Sequence, residues 1–285
     1  MKYQKIGVVG AGVMGGGVAE NLAATGHQVI VVDIAPEALR AARIQIDRNL
    51  RCMALWDSAS SAADHAAMLG RIGFTTDYGQ LSTVDFLIEN STERWSVKRE
   101  IFPRLDLICH PECVFAANTS AIAITRLAGT TTRPDKVVGM HFMNPVPRKK
   151  LVEVVRTPLC SEATLLAAKE LLAQMGKEAI LVNDMAGFVS NRVLMLTINE
   201  AIGVVQDKVA TAKEVDEIFV KCAGHKMGPL ATADLIGLDT ILLTLNVLYE
   251  SFGHSKYLPA GLLTQMVDAG LLGRKSGRGF FEYAG

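Results

Sequence analysis

The sequence carries no net charge, since its 285 residues include 29 basic and 29 acidic side chains. A strongly basic chain would attract nucleic acid or an anionic membrane surface through its summed field, and this chain has no such field. Internal repeats and low-complexity segments are also missing. We therefore expect no nucleic-acid partner, and we expect small molecules or another protein instead.

Cysteine is scarce and irregularly spaced. The cysteines are odd in number and include no CxxC pair; they are Cys52, Cys109, Cys113, Cys160 and Cys222. A disulfide framework uses an even set of cysteines in an oxidising compartment, and a thiolate zinc site uses closely spaced pairs. We therefore expect reduced thiols, a cytoplasmic protein and no metal site.

Long apolar runs are missing as well. The longest later run, Ile241 to Tyr249, falls short of the roughly 20 residues that span a bilayer. Near the N-terminus, Lys2 and Lys5 precede an apolar stretch at 6–19, which is the order of a signal peptide. The glycines within that stretch, the charge of Glu20 and the lack of a cleavage region argue against one. No membrane partner is expected.

A glycine-rich turn stands between a predicted strand and a predicted helix. The β-branched run Lys5 to Val9 leads into GAGVMG, and helical character follows from Val13 to Ala24. In a dinucleotide-binding turn the first glycine permits the tight turn, the second lets the backbone approach a pyrophosphate and the third lets helix and strand pack closely. Those glycines are Gly10, Gly12 and Gly15. The alternative is that these glycines only form a turn and bind no nucleotide.

A second predicted strand, Gln28 to Val32, ends at Asp33. An acid at this distance from the glycine turn accepts hydrogen bonds from the adenine ribose hydroxyls, whereas a 2′-phosphate would face its carboxylate. Asp33 therefore favours NAD over NADP, and Arg40 lies too far along the next helix to reverse this preference. FAD would fit the same turn, and Asp33 could instead only cap the helix that follows.

Strands and helices alternate through the first two thirds of the chain. Further strands are predicted at 84–89, 113–117, 136–142, 150–155 and 179–182. Helices are predicted at 36–50, 97–109 and 161–175, and Pro103 is expected to interrupt or kink the second of these. Residues 58–67 fit a helix or an exposed loop. This alternation predicts an α/β fold with a Rossmann-type, doubly wound and mostly parallel sheet.

From Gly187 onward the strand pattern stops. Helices are predicted at 188–206, 212–222, 233–252 and 260–269, and Thr211 with Glu214 has the spacing of a capping box. Apolar residues occur almost all round the first of these helices, which should be buried against its neighbours or another subunit. We predict a dinucleotide-binding domain at 1–183 and an all-helical C-terminal domain at 184–285.

The stretch from Val114 to Val155 contains side chains suited to proton transfer: Ser120, His141 and Glu153. Histidine exchanges protons near neutral pH, a carboxylate orients its ring, and a serine hydroxyl can donate to a substrate oxygen. If strands 136–142 and 150–155 lie side by side, the imidazole and the carboxylate meet at one edge of the cofactor cleft. The alternative is a buried histidine bonded to a backbone carbonyl, a surface glutamate and a strand-ending turn.

Over essentially its entire length the sequence resembles the 3-hydroxyacyl-CoA dehydrogenase family. The resemblance rests on Asp33, on the Glu93 to Lys98 segment and on motifs in a fixed order: GAGVMG, NTSAIAIT, GMHFMNPVP, KLVEVV, GFVSNRV, NEAI, GPL, DLIGLD and LGRKSGRGFFEY. Such a series is far more specific than a glycine turn alone.

The resemblance implies NAD-dependent interconversion of 3-hydroxyacyl and 3-ketoacyl thioesters, with hydride leaving C3 for the nicotinamide. It implies that His141 is the general base and that Glu153 is its electrostatic partner. Substrate contacts are implied for Ser120 and Asn191. The implied cofactor residues are Gly10, Gly12, Val13, Met14, Gly15, Asp33, Glu93, Lys98, Ser120, Asn144 and Lys275. The C-terminal domain is implied to bind substrate and to form a homodimer.

The sequence departs from the family pattern in two places. Members that use CoA commonly carry a lysine-rich stretch after the second helix, whereas residues 48–61 are RNLRCMALWDSASS. The segments Asn90-Ser91-Thr92 and Arg94-Trp95 replace the usual small apolar and Glu-Asn residues around Glu93. An acyl group carried on the phosphopantetheine of a carrier protein is therefore an alternative to an acyl-CoA substrate.

Two other functions fit parts of the pattern. The 6-phosphogluconate and 3-hydroxyisobutyrate dehydrogenase class also begins with GxGxMG and ends in helices, but it uses a catalytic lysine. The contexts of His141 and Glu153 argue against that class. A non-catalytic NAD-binding interaction protein would keep the same fold, although the retained site residues favour an enzyme.

Overall fold

The computed structural model describes residues 3–54 and 62–283. The chain divides into two compact units, Met1–Met185 and Ala186–Gly285. The division lies two residues beyond Asn183, where the sequence pattern placed the domain boundary. Asp184 belongs to the first unit, because its carboxylate accepts hydrogen bonds from the backbone N–H groups of Ile124 and Thr125.

In its described residues, the first unit is built on a single eight-stranded sheet. Its strands are β1 Lys5–Val9, β2 Gln28–Val32, β3 Ile72–Thr75, β4 Phe86–Glu89, β5 Val114–Ala117, β6 Val137–Phe142, β7 Leu151–Arg156 and β8 Glu178–Asn183. Their order is β3-β2-β1-β4-β5-β6-β7-β8, and neighbours are parallel except β6 and β7. The order reverses between β1 and β4, and in such sheets ligands bind outside the carboxyl ends of the strands at that point.

Six α-helices in the described part of the first unit cover the sheet: α1 Val13–Ala24, α2 Pro36–Ala54, α3 Ala62–Gly70, α4 Trp95–Ile108, α5 Ile124–Ala128 and α6 Glu162–Gln174. The strands β4, β5 and β6 are buried along their full length. Parallel strands covered on both faces have nearly continuous apolar sequences, as these do. The predicted α/β fold with a mostly parallel, Rossmann-type sheet is confirmed.

Several elements of the first unit differ from the prediction. The edge strand β3 was not predicted, because four residues that include Gly73 show neither alternation nor a long apolar run. The helix α4 runs through Pro103 without interruption, and the alternative of a kink there stays a prediction; proline removes one helical hydrogen bond, and the buried face with Phe102 and Leu105 still packs. Of the ambiguous segment 58–67, the part from residue 62 is helical, and residues 58–61 lie outside the described residues.

The described part of the second unit consists of helices and short turns. Its α-helices are α7 Ser190–Gln206, α8 Ala212–Lys221, α9 Pro229–Ile236, α10 Leu238–Phe252 and α11 Gly261–Asp268. The capping box of Thr211 and Glu214 is confirmed at the start of α8. Apolar side chains on the surface of this unit include Val193, which is 61% exposed, and Leu243, which is 52% exposed.

The prediction of one helix at 233–252 was wrong. The chain forms α9 and α10 instead, which meet at a bend of 97°. Gly237 lies between them with φ of +104°, a conformation that ends one helix and redirects the next. Pro229 at the first turn of α9 marks the earlier start.

In the described part of the chain, no helix taken singly is long and apolar enough to cross a bilayer. The helices α9 and α10 together have the length and apolar composition of a span, although the bend between them separates the two.

We predict that Gly237→Ala lowers the free energy of unfolding by about 1–3 kcal/mol, the cost of a strained backbone position. The positive φ opposes any side chain, and a Cβ would lie 2.9 Å from Lys275 Nζ and 3.0 Å from Asp239 Oδ1. Urea unfolding followed by circular dichroism measures the change. The control is Gly203→Ala within α7, where a Cβ meets no atom within 4 Å, so alanine should preserve or raise stability. Equal stability of Gly237→Ala and wild type would contradict the assigned role.

Candidate active site

The glycine turn joins β1 to α1. Gly10 has φ of +94°, and a Cβ on it would lie 2.7 Å from the Asn90 carbonyl oxygen; a Cβ on Gly15 would lie 1.9 Å from the Gly10 carbonyl oxygen. Both positions therefore exclude a side chain because the protein's own backbone occupies the space. A Cβ on Gly12 would meet no atom within 4 Å, so at this glycine the open side is available to a ligand.

The first turn of α1 receives no side-chain cap. Its leading N–H groups come from the residues around Val13 and Met14, and Val13 is 76% exposed. Uncapped N–H groups at a helix N-terminus, together with the helix dipole, form a site for phosphate. The turn thus has both the room at Gly12 and the donors that a pyrophosphate requires.

Asp33 follows β2 and faces the same turn. Its Oδ2 accepts a hydrogen bond of 2.7 Å from the Ala11 N–H, and its Oδ1 accepts one of 2.9 Å from the Ala35 N–H. Each carboxylate oxygen has a second lone pair, which suits the two hydroxyls of an adenine ribose. These features fit NAD, and the negative carboxylate opposes the 2′-phosphate of NADP.

The pairing of β6 with β7 places His141 directly opposite Glu153. Residues that face each other across an antiparallel ladder have their side chains on the same side of the sheet. The His141 Nδ1 lies 2.7 Å from Glu153 Oε2, and its Nε2 lies 3.2 Å from Ser120 Oγ. Both the imidazole and the carboxylate are buried. The expectation that the two strands lie side by side is confirmed, and the structure brings the three side chains together.

Glu93 binds the turn that carries Ser120. Its Oε1 accepts hydrogen bonds from the Thr119 hydroxyl and from the backbone N–H groups of Ser120, Ala121 and Ile122, the last three at 3.3, 3.1 and 3.4 Å. The carboxylate therefore ties the loop after β4 to the turn after β5. This arrangement fixes the backbone from which the Ser120 hydroxyl reaches His141.

Lys98 lies in α4 and is fully buried, as is its partner Glu89 at the end of β4. The Lys98 Nζ donates to Glu89 Oε2 at 2.5 Å and to the Asn118 carbonyl oxygen at 3.4 Å. The other carboxylate oxygen of Glu89 accepts from the Ser91 N–H at 2.7 Å. One buried ion pair thus holds both loops that border the site.

The other implied site residues lie at the edge of this arrangement or in the second unit. Asn144 is exposed and follows β6. In the second unit, Asn191 is half-buried in the first turn of α7, and the ammonium group of Lys275 pairs with Asp239.

Two structural features of the site were missed by the sequence interpretation. Glu89 was not recognised as the partner of Lys98, although an acid at the end of the apolar strand FLIE was a usable signal. The Asn118 side chain was not assigned a contact; its Nδ2 donates to Asn90 Oδ1 at 2.7 Å and its Oδ1 accepts from the Phe142 N–H at 3.2 Å. These bonds connect the ends of β4, β5 and β6.

We predict that Lys98→Met lowers the free energy of unfolding by about 3–5 kcal/mol, because the Glu89 carboxylate stays buried without its cation. The double variant Lys98→Met/Glu89→Gln should recover much of this loss, since the uncompensated charge is gone. Urea unfolding of the three proteins measures both effects. Lys221→Met is the control, because its pair with Glu217 is exposed and should contribute little. A double variant no more stable than Lys98→Met would contradict the assigned ion pair.

Comparison with known families and proteins shows the family of the chain. Residues 5–185 match the family model described as 3-hydroxyacyl-CoA dehydrogenase, NAD binding domain, and residues 187–283 match its C-terminal domain. The probable 3-hydroxybutyryl-CoA dehydrogenase of Bacillus subtilis is 44% identical over 283 residues, which cover 99% of this chain and 98% of that protein. The 3-hydroxybutyryl-CoA dehydrogenase of Clostridioides difficile is 42% identical, with 98% and 99% covered.

A solved structure is similar over the whole chain. The crystal structure of (S)-3-hydroxybutyryl-CoA dehydrogenase PaaH1 from Ralstonia eutropha superposes with a TM-score of 0.94 at 41% sequence identity, covering 99% of this chain and 100% of that one. Both halves of the chain match one family, and relatives above 40% identity match it end to end. The chain therefore belongs to the 3-hydroxyacyl-CoA dehydrogenase family, whose N-terminal domain binds NAD.

Proposed function

We propose that this protein is an NAD-dependent dehydrogenase that interconverts 3-hydroxyacyl-CoA and 3-ketoacyl-CoA thioesters, with 3-hydroxybutyryl-CoA and acetoacetyl-CoA as the preferred pair. The observation that carries this proposal is an imidazole bonded on one nitrogen to a buried carboxylate and on the other to a serine hydroxyl. The names of the relatives from Bacillus subtilis and Clostridioides difficile support the choice of thioester.

In this proposal Glu153 sets the tautomer of the His141 ring. An ionised carboxylate only accepts hydrogen bonds, so the proton of the neutral ring lies on Nδ1, and Nε2 carries a lone pair. That lone pair is directed to the side where Ser120 Oγ lies at 3.2 Å. His141 is thereby prepared to accept a proton from a substrate hydroxyl bound beside Ser120.

In the oxidative direction, the proton of the substrate 3-hydroxyl passes to His141 Nε2 while C3 becomes a carbonyl carbon. The residues around Gly12 and Asp33 would hold NAD, which would supply the acceptor for the hydride that leaves C3. The imidazolium that forms is stabilised by the Glu153 carboxylate, which lies 2.7 Å from Nδ1. In the reductive direction, His141 returns the proton to the 3-keto oxygen. Positioned acid–base catalysis of this kind contributes roughly 10²- to 10⁴-fold to a rate.

Ser120 and Glu93 have separate roles. The Ser120 hydroxyl donates a hydrogen bond to the 3-oxygen of the substrate and keeps it within reach of Nε2. Glu93 holds the backbone of the Ser120 turn through four hydrogen bonds to one carboxylate oxygen. Asn144 is proposed to contact the cofactor, and Lys98 acts by positioning the loops it bonds. The roles of Asn191 and Lys275, in the second unit, stay predictions from the family resemblance.

We predict that the wild-type protein consumes NADH with acetoacetyl-CoA, with kcat/KM at least about tenfold lower for NADPH, because the 2′-phosphate would face Asp33. We also expect acetoacetyl-CoA to be preferred over the same acyl group on a carrier protein. A spectrophotometric assay at 340 nm measures the activity with NADH, the ratio of kcat/KM for NADH and NADPH, and the ratio of kcat/KM for the CoA and carrier-bound thioesters.

Each outcome of this assay tests a separate part of the proposed function. No NADH consumption with any 3-ketoacyl thioester would overturn the enzymatic function in favour of a non-catalytic NAD-binding protein. Preference for NADPH would overturn the role of Asp33, and preference for the carrier-bound thioester would overturn CoA as the acyl handle.

We predict that His141→Gln lowers kcat by roughly 10²- to 10⁴-fold, because glutamine fills similar space but does not accept the substrate proton. NADH affinity, measured by fluorescence titration, should be unchanged, which separates lost proton transfer from misfolding. Glu153→Gln should fall between His141→Gln and wild type, since the ring keeps a hydrogen-bond partner but loses its counter-charge. A kcat for His141→Gln within about threefold of wild type would remove His141 from the mechanism.

A further inference from the structure

The connection between β6 and β7 borders the candidate cofactor site. In this connection, Asn144 and Pro145 line the same cavity as Gly12 and Val13 of the glycine turn, and all four residues belong to the first unit. The open side of Gly12 and the uncapped N–H groups of α1 are the features that suit a pyrophosphate. The 144–149 segment of the connection therefore forms a second side of the site that the glycine turn begins.

Bonds within the 144–149 segment do not attach it to the rest of the unit. Its 3₁₀ turn, Val146–Arg148, is closed by the N–H groups of Arg148 and Lys149, which donate to the Pro145 carbonyl oxygen at 3.0 and 3.1 Å. Val146 is buried against α1, where a Cβ on Gly17 would lie 3.1 Å from the Val146 Cβ. Apolar packing is non-directional, so this contact gives the segment a neighbour without fixing its orientation.

Lys177 supplies directional contacts to the 144–149 segment. It lies between α6 and β8, and its Nζ donates hydrogen bonds of 2.7 Å to the Val146 carbonyl oxygen and 2.8 Å to the Lys149 carbonyl oxygen. These two acceptors lie at either end of the turn. One ammonium group thus fixes both the position and the orientation of the segment.

The ammonium group of Lys177 is costly where it lies. The side chain is 7% exposed, and none of the carboxylates in the described part of the chain forms an ion pair with it. Burial lowers the pKa of this ammonium group, because removal from water disfavours the charged form. A local choice that works against stability is typical of residues that serve a functional site.

We propose that Lys177 is a positioning residue for the cofactor, and that its two hydrogen bonds hold the 144–149 segment where it borders a dinucleotide on the glycine turn. The inference rests on the proposed function, which places NAD at that turn. Lys177 acts through the segment and its Asn144, not by contact with the cofactor. Without these bonds the segment shifts and cofactor binding weakens, while the β6–β7 ladder keeps His141 in place.

The test compares Lys177→Met with wild type in NADH binding, followed by fluorescence titration, and in the reduction of acetoacetyl-CoA. Methionine has a similar length but no donor, and the loss of hydrogen bonds from a charged group should raise the Kd for NADH about tenfold. At saturating NADH, kcat should stay within about threefold of wild type, because the proton-transfer residues are unchanged. In the free protein, hydrogen exchange at the N–H groups of Arg148 and Lys149 should be faster.

Three further variants complete the design. Lys177→Arg keeps a cation with several donors and should bind NADH more tightly than Lys177→Met does. Gly17→Ala leaves the bonds of Lys177 intact but presses a methyl group against Val146, so the Kd for NADH should rise here too. Lys169→Met, the matched control, removes an exposed ammonium group on α6 and should leave the Kd unchanged.

Adenosine, which lacks the pyrophosphate, distinguishes positioning of the segment from a general loosening of the unit. Its affinity, measured by competition with NADH, should be the same in Lys177→Met and wild type. Equal weakening of adenosine and NADH binding would overturn the inference, as would an unchanged Kd for NADH in Lys177→Met. If Lys177→Met does not fold, an unchanged Kd in Gly17→Ala overturns it.

The same measurements separate this inference from the proposed function. A wild-type protein that binds NADH but reduces no 3-ketoacyl thioester would overturn the proposed function. The role of Lys177 is decided by the Kd values and by hydrogen exchange in the free protein, which do not depend on turnover.

Discussion

The register between β6 and β7 is the constraint on which the rest of the site depends. A shift of one residue would turn His141 and Glu153 to opposite faces of the sheet and abolish their contact. Gly139 allows the close approach of the two strands, because a Cβ there would lie 2.6 Å from the Cβ of Val155. The buried apolar residues on either side, such as Met140 and Val154, hold the register because a slip of one residue would move them from the core they share with α1 and α6 to the face that His141 and Glu153 occupy.

The buried ion pair beside the site positions loops more than it stabilises the fold. The Lys98–Glu89 pair is fully buried, and a buried ion pair is weak evidence for stability because desolvation offsets much of its attraction. Its remaining hydrogen bonds go to the Asn118 carbonyl and to the Ser91 N–H, in the two loops at the carboxyl edge of the sheet. The pair therefore fixes the separation of these loops, and Glu93 then ties the Ser120 turn between them.

The sequence was sufficient to predict structural features that show as a repeated pattern along the chain. It was insufficient to predict features that depend on a single tertiary contact. Periodicity and the glycine turn predicted the parallel sheet, and two adjacent strand patterns allowed His141 to meet Glu153, a pairing that the family resemblance implied. A single glycine inside a helical pattern fits either a helix or a break, and the φ of Gly237 is decided by packing that periodicity does not contain. Likewise, nothing in spacing says that Lys98 pairs with Glu89, or that Glu20 is buried.

Strands and loops have different parts in positioning the candidate site. His141 and Glu153 lie on β6 and β7, and each of these strands has a hydrogen-bonded neighbour on both sides. Ser120 instead lies in a turn, which the Glu93 carboxylate holds through hydrogen bonds from backbone N–H groups. Loops are more mobile than the strands they connect, so the contact between Ser120 and His141 depends on Glu93, whereas the contact between His141 and Glu153 depends on the ladder alone.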